Sequence, residues 1–161
     1  RDAAVAAALD ATGLADDIDV HPHDLGRARR KLLAIASLLA METPVLVLDE
    51  PTVGLGAAGV ERVQRIVAQL IAEGRTIIAI SHEPRFVAES FERVELLAQG
   101  RVVMDGSPAD VFAEAGWPLL RSAGLEPPAA AILGARLGLG STPTEAALLA
   151  SAAAAGRAGT P

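Results

Sequence analysis

Two adjacent carboxylates and one imidazole are the residues of this sequence most able to do chemistry together. Val45-Leu46-Val47-Leu48 is an unbroken β-favouring run that stops at Asp49-Glu50, and residues 76–80 form a second such run followed by Ser81-His82-Glu83. Parallel strands of an α/β sheet deliver the residues at their carboxyl ends to the edge where such sheets bind ligands. Successive strand residues point in opposite directions. Asp49 can therefore hold Mg²⁺, directly or through water, while Glu50 polarises an attacking water. His82 can hydrogen-bond a terminal phosphate or the water beside it, donating or accepting near neutral pH. Taken alone, an Asp-Glu pair after a strand opens a solvated loop about as often, and a lone histidine is usually structural. The common sheet edge weighs towards a site.

The elements that must position these residues follow from periodicity. Both runs read as strands buried on both faces of a parallel sheet. Between them Val60, Val63, Ile66, Val67, Leu70 and Ile71 recur at helical spacing and Gly74 closes the segment, which makes a strand-helix-strand crossover. Ahead of it, residues 3–11 form an Ala/Leu helix, and a second helix is expected over 27–41. The first turn of that second helix carries Arg27, Arg29, Arg30 and Lys31 at the positive end of the helix dipole, an arrangement that suits an incoming anion.

Behind the crossover, residues 94–97 and 101–104 read as a hairpin across Gln99-Gly100, added at the sheet edge. Ser107, Pro108 and Asp110 then open a helix ending near Gly116. Pro127-Pro128 precedes another helix. Thr142-Pro143-Thr144-Glu145 reads as a capping box for a last Ala-rich helix to about Ala155, with a frayed end over 156–161. No repeat of 20 to 50 residues is present.

Composition narrows the function. With 161 residues, a formal net charge of -6 and one short basic cluster, the chain lacks the Lys/Arg-rich face of a nucleic-acid binder. It has no cysteine, so no disulfide framework or thiolate metal site, and a cytosolic setting fits. The apolar run around residues 32–41 is about half of the ~20 residues needed to cross a bilayer. The first residue is Arg and no signal segment precedes it, so the sequence is expected to start within something longer.

Leu48-Asp49-Glu50-Pro51-Thr52 together with Ser81-His82-Glu83 resembles the Walker B motif and H-loop of ABC ATPases. The likeness covers about residues 3–115 and includes, in order, His21-Pro22 through Leu25, Leu33-Ala34-Ile35-Ala36, Gln99-Gly100-Arg101 and Asp105-Gly106-Ser107-Pro108. Leu125-Glu126-Pro127-Pro128 is similar to the helical extension of the energy-coupling-factor importers. The resemblance implies an α/β, partial P-loop NTPase fold. Its expected parts are the end of a helical subdomain with the signature helix over 1–43, a catalytic lobe over 44–115, and a helical extension over 116–161. It also implies ATP and Mg²⁺ as ligands, with Asp49 on the metal, Glu50 as catalytic base and His82 at the γ-phosphate. A second cassette and transmembrane transport subunits are the implied partners, with the protein peripheral on the inner face of the cell membrane.

The family's Leu-Ser-Gly-Gly-Gln signature falls on Leu25, Gly26, Arg27, Ala28 and Arg29, so the serine and both glycines are replaced. Arg27 and Arg29 at a helix N-terminus can clamp a phosphate, or they form a solvated face. The family's D-loop falls on Val53, Gly54, Leu55 and Gly56, with Gly56 where an Asp is usual. No Gly-rich loop ending in Gly-Lys-Ser/Thr occurs in these residues, so alone they should bind ATP poorly and leave apolar sheet surface uncovered. The leading expectation is part of an ATP-hydrolysing subunit. The alternative is a non-catalytic, degenerate cassette half that acts as an interaction or regulatory module.

Overall fold

The apolar spacing of residues 60–71 becomes the helix that organises the N-terminal half of the molecule. The computed structural model describes residues 2–158, and the chain divides into two compact units on either side of the Ser81–His82 bond. The first unit contains α1 (Asp2–Thr12), α2 (Arg27–Leu39), β1 (Val45–Asp49), α3 (Ala57–Ala72) and β2 (Thr76–Ile80). β1 and β2 pair in parallel from Val45 opposite Thr76 to Asp49 opposite Ile80. α3 packs on β2, and α1 packs on α2 and α3. Val63, Ile66, Val67 and Leu70 form the buried stripe of α3, and Leu46 and Leu48 are the buried face of β1.

Double-sided burial of the strands does not occur. Val47 is 59% exposed and Ile80 57%, with Val45 and Ile78 also open, so β1 alternates between inside and outside. The sheet here has two strands, and the helices of this unit cover one of its faces. Helix α2 ends at Leu39 rather than Met41, because Glu42 takes a left-handed φ of 51° just ahead of Thr43-Pro44.

The second unit contains α4 (Pro84–Ser90), β3 (Val94–Ala98), β4 (Arg101–Gly106), α5 (Pro108–Val111), α6 (Trp117–Ser122), α7 (Ala129–Arg136) and α8 (Glu145–Ala158). β3 and β4 pair antiparallel across Gln99 and Gly100, which have φ of 49° and 74°, the double left-handed turn that matches strand twist. This hairpin is a separate two-stranded sheet, not an extension of the parallel one. Its inward Leu96 is held by the helices of its own unit, in a core with Ala88, Val111, Phe112 and Leu120.

Three other expectations are corrected. The helix opened by Ser107 stops at Val111, and a 3-10 turn covers Glu114–Gly116, because Ala113 is extended and Phe112 turns into the core. Thr142 does not cap the last helix. It is 0% exposed, and its hydroxyl donates to the Ala130 carbonyl at 2.8 Å, while Thr144 caps α8 by accepting from the Ala147 N–H at 3.1 Å. Fraying from residue 156 is also not seen as far as Ala158, which is still helical, and residues 159–161 lie outside the described ones.

The Ser107 cap forms as expected and is reciprocal: Asp110 N–H donates to Ser107 Oγ, while Ser107 N–H and Oγ donate to the Asp110 carboxylate at 3.1 and 2.5 Å. The Ser107 hydroxyl bond holds the Asp110 carboxyl below its ordinary value of 3.8, and the Arg93 guanidinium bond does the same for Asp105. A carboxyl with a depressed folded pKa contributes stability that is present above the unfolded value and is lost as pH falls through the folded one. Ser107→Ala should therefore lower the melting temperature most at neutral pH. The gap to the unaltered protein should narrow as pH falls below about 4, which thermal melts across that range would measure.

Candidate functional site

The carboxyl ends of β1 and β2 finish side by side, Asp49 opposite Ile80. Asp49 is exposed and Glu50 half-buried. Glu50 has φ +48°, a left-handed conformation that costs a residue with a Cβ about 1–2 kcal/mol. Its backbone is fixed from several directions: the N–H donates to the Ile80 carbonyl at 2.9 Å, while the carbonyl accepts from Val53 N–H at 3.3 Å and from Lys31 Nζ. Pro51 and Thr52 beneath it are buried, Thr52 to 1% exposure. Leu55 N–H then bonds the Thr52 carbonyl, Gly54 supplies a φ of 79°, and Gly56 is the N-cap of α3.

Lys31 is the residue that sequence reasoning passed over. It was legible only as one of four cations at the start of α2, and nothing in its type or spacing points to the carbonyl 19 positions on.

Leu25 is buried, and Gly26 is the N-cap of α2 with extended backbone and no side-chain cap. Arg27 is exposed and Ala28 half-buried. Arg29 pairs with Asp17 through Nε at 2.8 Å and through Nη2, and Arg30 donates to the carbonyls of Leu25 at 2.8 Å and His23 at 3.3 Å. Part of the charge at this helix start is thus met within the unit, by an acid and by turn carbonyls. His82 is exposed and begins the second unit, one residue ahead of Glu83, the N-cap of α4.

No group of three or more His, Asp or Glu among the described residues could hold a metal ion. Mg²⁺ is commonly bound by only one or two carboxylates, with substrate phosphates and water completing its octahedron. Asp49 at an exposed strand end, with Glu50 beside it, offers such oxygen ligands.

No protein-family model matches the chain. It is 36% identical over 133 residues to the energy-coupling factor transporter ATP-binding protein EcfA of Methanothermobacter thermautotrophicus, covering 83% of this chain and 42% of that protein. With EcfA2 of Streptococcus sanguinis it shares 41% identity over 105 residues, 65% of this chain and 38% of that one. The solved structure of CbiO1 from Clostridium perfringens, part of the ABC transporter complex CbiONQ, matches with a TM-score of 0.62 at 36% identity, covering 74% of this chain and 47% of that one. The chain belongs to the family of ABC transporter ATP-binding proteins. It spans less than half the length of these relatives.

Gly26 has no hydroxyl to cap the helix, and α2 accordingly begins without a side-chain cap. No helix among the described residues is long and apolar enough to cross a membrane.

Proposed function

We propose that these residues form the carboxyl-terminal part of an ATP-hydrolysing cassette that drives an importer of the energy-coupling-factor type. The observation that carries this reading is the parallel β1–β2 pair ending at Asp49-Glu50, with the Glu50 backbone fixed in a left-handed turn. Glu50 orients the attacking water and takes its proton as the water oxygen bonds to the γ-phosphorus and the bond to the ADP oxygen breaks. His82 hydrogen-bonds the γ-phosphate or that water. Asp49 would hold Mg²⁺, which when bound neutralises charge on the phosphate oxygens. Leu25 to Arg29 and Gly54 to Gly56 face nucleotide in the assembled protein.

The reading requires a phosphate cradle from outside these 161 residues, since they contain no Gly-Lys-Ser/Thr loop. It also requires a second cassette and transmembrane subunits, with the protein held peripherally on the inner face of the membrane. ATP turnover by the full-length protein tests the site. Asp49→Asn and His82→Ala should each lower kcat by roughly 10²-fold, and rates within about twofold of the unaltered protein for both would overturn the assignment.

A further inference from the structure

We infer that Lys31 is a positioning residue for Glu50: its ammonium holds the Glu50 carbonyl and so fixes the backbone turn from which the Glu50 carboxylate is presented. The inference rests on the catalytic reading of Glu50 and adds a residue to it.

The turn needs such a hold. A left-handed φ of +48° is disfavoured for glutamate, and Pro51 adds to the conflict because a residue before proline is pushed towards extended backbone. Strained backbone persists only where its surroundings over-determine it. On the amino side that role falls to Ile80, whose carbonyl takes the Glu50 N–H at 2.9 Å. On the carbonyl side the neutral bond from Val53 N–H is 3.3 Å, longer than is usual for N–H···O, whereas the bond from Lys31 is charge-assisted and the stronger of the two.

Lys31 is also not an ordinary surface cation. It is half-buried beside buried Leu32, and partly withdrawing an ammonium from water is costly unless it finds an acceptor. Arg30 is no substitute, since its guanidinium is committed to the carbonyls of Leu25 and His23. Without Lys31, the carbonyl side of the turn loses its stronger hold, and the Glu50 peptide can relax towards the extended form that Pro51 favours. The carboxylate would then be carried away from the line of attack.

The test uses the full-length protein with Lys31→Met, Lys31→Arg and Glu50→Gln. Lys31→Met should lower kcat by roughly 10- to 100-fold, the scale of a misplaced catalytic group, with KM for ATP changed less than about threefold. Hydrogen exchange at the amides of Glu50 and Val53 should quicken in the same variant, and Lys31→Arg should restore both readings. If Glu50→Gln abolishes turnover while Lys31→Met stays within about threefold of the unaltered protein, the positioning role is overturned and the catalytic reading stands. If Lys31→Met and Lys31→Arg lose activity alike together with melting temperature, Lys31 is structural and the inference fails. If Glu50→Gln leaves turnover intact, the catalytic reading falls and the positioning role falls with it.

Discussion

Glu50→Gln in the full-length protein should reduce ATP turnover by about 10²- to 10⁴-fold, the range contributed by a general base. Glutamine keeps the length and shape of the side chain and can occupy the same backbone turn, so the bonds to Ile80, Val53 and Lys31 are retained. What is lost, on the catalytic reading, is the carboxylate that takes the proton of the attacking water. Binding of ATP should persist, because the interactions with the nucleotide do not depend on that proton transfer. Phosphate release read beside equilibrium nucleotide binding separates the two. A variant that binds without turnover supports the catalytic reading, and turnover within about threefold of the unaltered protein would leave only a non-catalytic role for this site.

Phe112→Ala should destabilise the second unit by about 3–5 kcal/mol. The ring is 3% exposed and lies in the core formed by Ala88, Leu96, Val111 and Leu120, with Trp117 and Met104 packed against it. The Phe112 carbonyl accepts the Trp117 indole N–H at 3.0 Å, so the same residue also ties the end of α5 to the start of α6. Truncation removes the ring and leaves a cavity that an interior so closely packed fills only in part. Leu97→Ala on the open face of the hairpin is the control and should change stability by under about 0.5 kcal/mol. Denaturant unfolding of the two variants measures the difference, and near-equal midpoints would contradict the assignment of Phe112 to the core.

Much of the fold was legible because local chemistry decided it. The crossover from β1 through α3 to β2, the Gln99-Gly100 turn and the Ser107 cap rest on short-range signals: helical spacing, a glycine between two strand runs, and a hydroxyl followed by a carboxylate. What was not legible depends on partners distant in sequence. Val47 has the composition of a buried strand, but exposure is set by how many layers cover the sheet. Thr142 and Thr144 are equally plausible caps by type, and only the packing of Thr142 against α7 decides between them. Among the candidate site residues, Asp49, Glu50 and His82 are singled out by residue type and by their place after a strand. Lys31 carried none, since its role is a backbone contact across 19 positions, and Arg29 found an acid, Asp17, 12 positions earlier.

The left-handed turn at Glu50 sets two selective pressures against each other. Glycine takes that backbone conformation freely, and asparagine takes it more readily than glutamate does. Selection for heat resistance alone would therefore drift towards replacing this residue, and on the catalytic reading proposed above selection for turnover would keep it. A library of variants ranked only by folding would favour replacing Glu50, and on the catalytic reading it would lose the base with it.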